Sequence, residues 1–212
     1  MIVGSVEKMT ALANDPSFKP KPDKPIYRLH LGCGAHLIEG WTNIDLELDA
    51  SAKPDESHKF MAYDLRNGLP FGDKSVDRIF SEHFLEHLHR HDAVKLLAEC
   101  RRVLTDDGVI RVSVPDLRTL IEKYLDDEAG DEAALGFADK VGWHPATRCQ
   151  LVNEGLRMWG HLFVYDLSEL LLVFMEAGFT RLRPSPHGQT TMPDMPTEGR
   201  PFLGDIVVEA QR

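Results

Sequence analysis

Two glycines flank one small residue at Gly32-Cys33-Gly34, directly after the short apolar run Leu29-His30-Leu31. A buried strand ends in this way when the turn that follows must let a ligand touch backbone. Eleven residues beyond Gly34 stands Asp45, in Asn43-Ile44-Asp45-Leu46, at the end of a second candidate strand. A carboxylate in that place can accept both hydroxyls of a ribose lying across the strand ends. The chemistry suggested is recognition of a nucleoside.

The elements that must position these residues alternate. Strands are expected at Ile26 to Leu31, Trp41 to Leu46, Phe60 to Tyr63, Val76 to Phe80 and Val109 to Val114. Apolar residues at Ala93, Leu96, Leu97, Cys100, Val103 and Leu104 mark one face of a helix over Asp92 to Leu104, which Asp107-Gly108 ends. Strand, turn and helix in alternation are the mark of a parallel sheet with helices on its faces. Only Gly34 to Gly40 separates the first two strands, so the first helix is cut to about one turn or replaced by a loop. Leu117 to Leu125 can be helical. Asp166-Leu167-Ser168-Glu169 has capping-box spacing before the apolar Leu170 to Phe174, which predicts a helix over 167–177. Phe179 to Arg183 and Ile206 to Ala210 are two further strands.

Two segments fall outside this alternation. Residues 1–25 form a Pro/Lys-rich N-terminal extension of extended, solvated composition, leaving 26–212 as a single domain. A connection at about 126–165 is acidic, then aromatic and histidine-bearing, with no clean period. Connections of that length inside a domain are usually functional, and this one reads as a lid or substrate wall.

Composition narrows the class. At 212 residues one well-buried α/β domain is expected. Acids outnumber bases by 34 to 24, a formal charge of -10, which argues against a nucleic-acid partner. Cys33, Cys100 and Cys149 have no CxxC spacing, so neither a disulfide framework nor a zinc-cysteine site is suggested. A reducing cytoplasm fits. The start lacks a basic region followed by an apolar one, and Leu170 to Met175 is far too short to span a bilayer.

The ordered set Leu31-Gly32-Cys33-Gly34, Asn43-Ile44-Asp45, Asp64-Leu65, Leu69-Pro70-Phe71, Ser75-Val76-Asp77-Arg78-Ile79, Leu85-Glu86-His87-Leu88, Glu99 to Leu104 and Glu176-Ala177-Gly178-Phe179 resembles a class I S-adenosylmethionine-dependent methyltransferase. The resemblance runs from about residue 26 to 210. It implies a Rossmann-like seven-stranded sheet, order 3-2-1-4-5-7-6, with strand 7 antiparallel and helices on both faces. By the same resemblance, Gly32, Cys33 and Gly34 pass the methionine part of S-adenosylmethionine and Asp45 holds the ribose. Asp64 and Leu65 lie at the adenine, and Ser81, Glu82 and His83 line the cofactor near its sulfonium. Three departures stand out: His30 replaces the acid that usually opens the first motif, His36 replaces its third glycine, and the first helix is abbreviated. The compressed segment Leu31 to Asp45 is similar to small bacterial methyltransferases associated with glycan or lipopolysaccharide assembly, which implies a hydroxyl acceptor on a sugar or other small polar molecule.

Methyl transfer from a sulfonium is an in-line displacement, and alignment alone can contribute roughly 7 to 11 kcal/mol. A hydroxyl acceptor must also lose a proton. His83 at the end of strand four, Asp116 at the end of strand five, and His161 on the long connection are the candidate catalytic residues. His144, Trp143, Trp159 and Tyr165 accompany His161 and suit a sugar face or the packing of the connection. Two other enzymes share fragments of this pattern. His83-Phe84-Leu85-Glu86-His87 matches the HxxEH of inverted zinc peptidases, with Glu154 the downstream acid that would complete a ligand set, but that reading leaves the nucleoside signals unexplained and no metal is expected. An NAD reductase also uses Gly-x-Gly and a downstream acid, yet Leu37 breaks the GxGxxG. A cofactor-binding scaffold without turnover is the nonenzymatic alternative.

Overall fold

The structure is a computed structural model and describes residues 28–126, 132, 135–201 and 204–212. The N-terminal extension and the first two residues of the first expected strand lie outside that range. The strands are β1 (Arg28–Leu31), β2 (Thr42–Asp45), β3 (Lys59–Ala62), β4 (Val76–Glu82), β5 (Leu104–Val114), β6 (Arg181–Ser185) and β7 (Ile206–Gln211). They form a 7-stranded sheet in the order β3-β2-β1-β4-β5-β7-β6. β7 runs antiparallel to both of its neighbours, while the other pairings are parallel. The longer helices among the described residues are α1 (Arg90–Val103), α2 (Leu117–Leu125), α3 (Arg148–Arg157) and α4 (Leu167–Glu176).

Strand alternation sorts the two faces of the sheet. Leu29, Leu31, Ile44, Ile79, Ile110, Val112, Val208 and Ala210 share one core with Leu96, Leu97, Cys100 and Val103 of α1 and Leu170, Val173 and Phe174 of α4. Burying these side chains is the main favourable term, each worth about 1.5 to 3 kcal/mol. The alternate residues on the second face include buried polar groups: His30, Asn43, Arg78, Arg111, Ser113 and Glu209. Among the described residues, the segment 186–201 covers this face, with Met192 and Met195 packed on Trp41, Phe80 and Val109. Arg111 crosses into that cover, its guanidinium 2.8 Å from Glu198 and 2.6 Å from Glu209, all three side chains fully buried.

The short crossover between β1 and β2 is held by one side chain. Asn43 accepts the Ile38 amide at 2.8 Å through Oδ1. Its Nδ2 donates to the carbonyls of Ile38, Trp41 and Lys59 at 3.1 to 3.2 Å. His30 Nδ1 completes the set at 3.1 Å from Asn43 Oδ1. A side-chain amide thus does the spacing that a crossover helix normally provides.

Several boundaries move. β4 runs on to Glu82, so Ser81 and Glu82 lie inside the strand and not after it. β5 begins at Leu104, straight out of α1, and bulges over residues 105–108, where the register with β4 jumps from Val76↔Leu104 to Arg78↔Val109. The long connection contains α3 although its sequence has no clean period; Thr147 caps it by accepting the Gln150 amide at 3.1 Å. Among the described residues no helix is long and apolar enough to cross a membrane.

Candidate active site

The C-terminal ends of β1, β2 and β4 meet at the glycine turn. Gly32 has φ +67, and a Cβ there would lie 2.2 Å from the Phe84 ring, so only glycine fits. Gly34 has φ +51 with open space where a Cβ would stand, so backbone is presented to whatever lies above it. Gly32 and Cys33 both donate to the Ile44 carbonyl, at 2.9 and 3.3 Å, fixing the turn against the end of β2. Asp45 accepts the Gly34 amide at 2.8 Å through Oδ2 and the Leu46 amide at 2.8 Å through Oδ1. A carboxylate has about four acceptor positions, so this one is oriented by backbone and still has capacity for hydroxyls. Burial, with the Asp45 charge adding to it, pushes the Cys33 thiol up to about 12 and keeps it protonated.

The other predicted cofactor residues are more committed. Asp64 caps the turn Leu65–Asn67 by accepting the Arg66 amide at 3.0 Å and pairs with the Arg66 guanidinium at 2.7 Å. The Arg66 side-chain hydrogen bonds hold its carboxyl below the ordinary range. Leu65 is buried in the core and can offer a ligand only backbone. Ser81 is buried, with an Oγ that has no hydrogen-bond partner. Glu82 is buried and accepts the amides of Gly199 and Arg200 at 3.2 and 2.9 Å, with His36 Nδ1 at 3.8 Å. In this structure Glu82 therefore ties the 186–201 cover to the sheet beside the glycine turn.

The three expected catalytic residues come together. His83, Asp116 and His161 line one cavity of about 420 Å³, with Glu86, His87, Trp143, Trp159, Arg200 and Asp205 among its other walls. His83 sits at φ +51, a strained turn for a residue with a side chain, directly past the end of β4. Its two ring nitrogens lie 3.4 Å from Glu86 and 3.4 Å from Asp205. Burial alone lowers an imidazole, but these two carboxylates outweigh it and raise His83 to about 9. It is therefore charged at neutral pH, and as the general base expected from sequence it lacks a free lone pair. Asp116 caps α2, accepting the Arg118 amide at 2.9 Å through Oδ1. Burial raises its carboxyl above the ordinary range.

His161 faces Glu86 because the amides of Leu162 and Phe163 donate to the Glu86 carbonyl at 2.8 and 3.1 Å. Its Nδ1 lies 2.9 Å from the Gly155 carbonyl and must carry the proton, since a carbonyl only accepts. Burial lowers its affinity for a second proton, so Nε2 keeps its lone pair. Trp159, half-exposed at φ +58, stacks edge-on against Trp143 at 5.3 Å and tilts over His161 at 5.6 Å. His144 is elsewhere, in an exposed pair with Asp139.

The zinc-peptidase pattern does not fold as such. Leu85–His87 is a single 3-10 turn, so His83 and His87 do not stand on one α-helix. Glu154 is bonded to the Trp143 indole at 2.8 Å. Among the described residues, Glu86, His87 and His161 instead bring their donor atoms together, all within 4.8 Å of one another.

Residues 29–112 match the family described as a methyltransferase domain. Among solved structures, the chain is similar to an S-adenosylmethionine-dependent methyltransferase from Archaeoglobus fulgidus, at 14% identity over 99% of this chain and 92% of that one, TM-score 0.53. It is likewise similar to one from Mesorhizobium loti, at 17% identity over 100% of both chains, TM-score 0.51. No curated protein matches the sequence. At these identities the structural likeness speaks for the fold alone. The methyltransferase-domain match covers the strands that carry Gly32, Gly34 and Asp45, and with the complete seven-stranded sheet it supports the reading of the chain as a class I methyltransferase with S-adenosylmethionine as its cofactor.

Proposed function

We propose that this methyltransferase O-methylates a sugar or other small polar acceptor seated in the cavity at the ends of β4 and β5. The observation that carries the proposal is the cavity itself: its walls combine His83, Asp116 and His161 with Trp143 and Trp159. Aromatic faces beside charged groups suit the alternating apolar and hydroxyl surfaces of a sugar. The segment at about 126–165 supplies both tryptophans and serves as the acceptor wall of a domain running from about 26 to 212.

S-adenosylmethionine, when bound, supplies an electrophilic methyl group. Gly32, Cys33 and Gly34 fit its methionine part through backbone, and the open space over Gly34 beside the oriented Asp45 carboxylate fits a ribose. Asp64 and Leu65 fit the adenine edge, the former with the acceptor capacity that Arg66 leaves it, while Ser81 and Glu82 shape the floor between the two ligands. On the acceptor side Asp116 takes the hydroxyl proton. Its carboxyl sits at a strand end, is raised by burial and needs only one oxygen for its cap. His83, paired with Glu86 and Asp205, holds the ends of β4 and the 204–205 region together at the cavity floor.

The test is incubation of purified protein with methyl-labelled S-adenosylmethionine and a panel of mono- and oligosaccharides, amines and peptides, with products located by mass spectrometry. Label on a saccharide oxygen supports the proposal. Transfer only to nitrogen or carbon acceptors overturns it.

A further inference from the structure

We propose that Glu86, His87 and His161 form a binding site for a divalent transition-metal ion in the wall of the acceptor cavity. The three donor atoms lie within 4.8 Å of one another and all three residues line the cavity. Glu86 is fully buried, and neither of its carboxylate oxygens has a hydrogen-bond donor. A buried carboxylate left so is costly unless a cation is near. The groups that approach it are the charged His83 imidazole, at 3.4 Å from Oε1, and the neutral His161 imidazole, at 4.0 Å from the same oxygen. His83 is shared with Asp205, itself buried with no donor on either oxygen.

His161 is oriented for a metal and not for a proton relay. His161 Nδ1 is bonded to the Gly155 carbonyl at 2.9 Å, which directs the Nε2 lone pair at Glu86. This is the outer hydrogen bond that metal-ligating histidines use to fix tautomer and ring orientation. The His87 ring meets the His161 ring edge-on at 5.1 Å. Donors bound tetrahedrally to zinc at about 2.0 to 2.2 Å lie roughly 3.3 to 3.6 Å apart, so modest side-chain rotation closes the set. Two imidazoles and one carboxylate suit zinc, iron(II), cobalt, nickel or manganese better than calcium or magnesium, which prefer oxygen alone. Three protein ligands leave positions open toward the cavity. An acceptor that presents neighbouring oxygens, such as a vicinal diol or a hydroxy acid, can fill them, and a hydroxyl so held is more acidic. That last role rests on the proposed acceptor cavity; the ion site does not.

The experiment uses tag-free protein stripped with a chelator, then titrated with Zn²⁺ by calorimetry and with Co²⁺ by visible absorption. The expected result is one ion per chain, with affinity lowered at least tenfold by His161→Ala and by His87→Ala and unchanged by His144→Ala on the same segment. S-adenosylhomocysteine binding and thermal unfolding of each variant without metal report whether it is folded. The wild-type cobalt spectrum needs no variant and should show nitrogen-ligand d–d bands. Absence of stoichiometric binding of either ion, or undiminished binding by folded His161→Ala and His87→Ala, overturns the site. Methyl transfer is measured before and after stripping. Stoichiometric metal with transfer indifferent to it overturns only the acceptor role, while transfer without any metal binding overturns the site and leaves the proposed reaction intact.

Discussion

In the proposed reaction Asp45 and Asp116 divide the chemistry at the residue scale. Asp45 is held by two backbone amides at 2.8 Å and presents its remaining lone pairs beside the open backbone of Gly34. A hydrogen bond to a charged group is worth about 1.5 to 3 kcal/mol. Asp45→Ala should therefore weaken S-adenosylhomocysteine binding by about tenfold or more; calorimetry checks this, and unchanged affinity removes Asp45 from the ribose site. Asp116→Asn keeps an oxygen for the Arg118 amide, so α2 stays capped, but it removes the proposed proton acceptor. Turnover on the preferred acceptor should fall by about 10² to 10⁴ with cofactor affinity unchanged. A kcat within a few-fold of wild type would return Asp116 to a purely capping role.

At the level of elements, the cover over the polar face of the sheet depends on Arg111. Replacing it with Met leaves Glu198 and Glu209 buried without their shared cation, a loss of about 3 to 5 kcal/mol. Denaturant unfolding should show that loss, and a change under 1 kcal/mol would mean water reaches the pair. Strands and α1 were legible in sequence because period and turn residues agree there. So was the capped α4, whose Asp166 side chain accepts the Glu169 amide at 2.8 Å. What stayed hidden was held by side chain to backbone bonds between distant residues. Nothing local marks Asn43 as the brace of the β1–β2 crossover, nor Glu82 as the anchor of Gly199 and Arg200. The start of α3 did carry a signal in Thr147-Arg148-Cys149-Gln150, which has capping-box spacing. His83 was found by position but its chemistry was not, because Asp205 reaches it from the far end of the chain.

Across the whole molecule, one sheet carries an apolar face under helices and a polar face under a loop, and the polar face makes the fold sensitive to acid. Burial lowers His30 from 6.5 to about 4, against the Asn43 bond that favours its charge. The unfolded chain therefore takes up a proton near pH 6.5 that the folded chain refuses. His30's contribution is complete above about pH 6.5 and is lost as pH falls toward 4, by about 3 kcal/mol at the lower end. Unfolding free energies from pH 7 to 4.5 should drop more steeply for the wild type than for His30→Gln, and parallel curves would contradict the assignment. The same face ends at the glycine turn, and the proposed function rests on one claim: a nucleoside cofactor is held at the ends of β1 and β2 although His30 and His36 depart from the usual motif. Calorimetric titration of the purified chain with S-adenosylhomocysteine, with NAD as the control, tests it most directly. Saturable one-site binding of S-adenosylhomocysteine and none of NAD is the predicted result; no binding of S-adenosylhomocysteine, or equal binding of NAD, would contradict it.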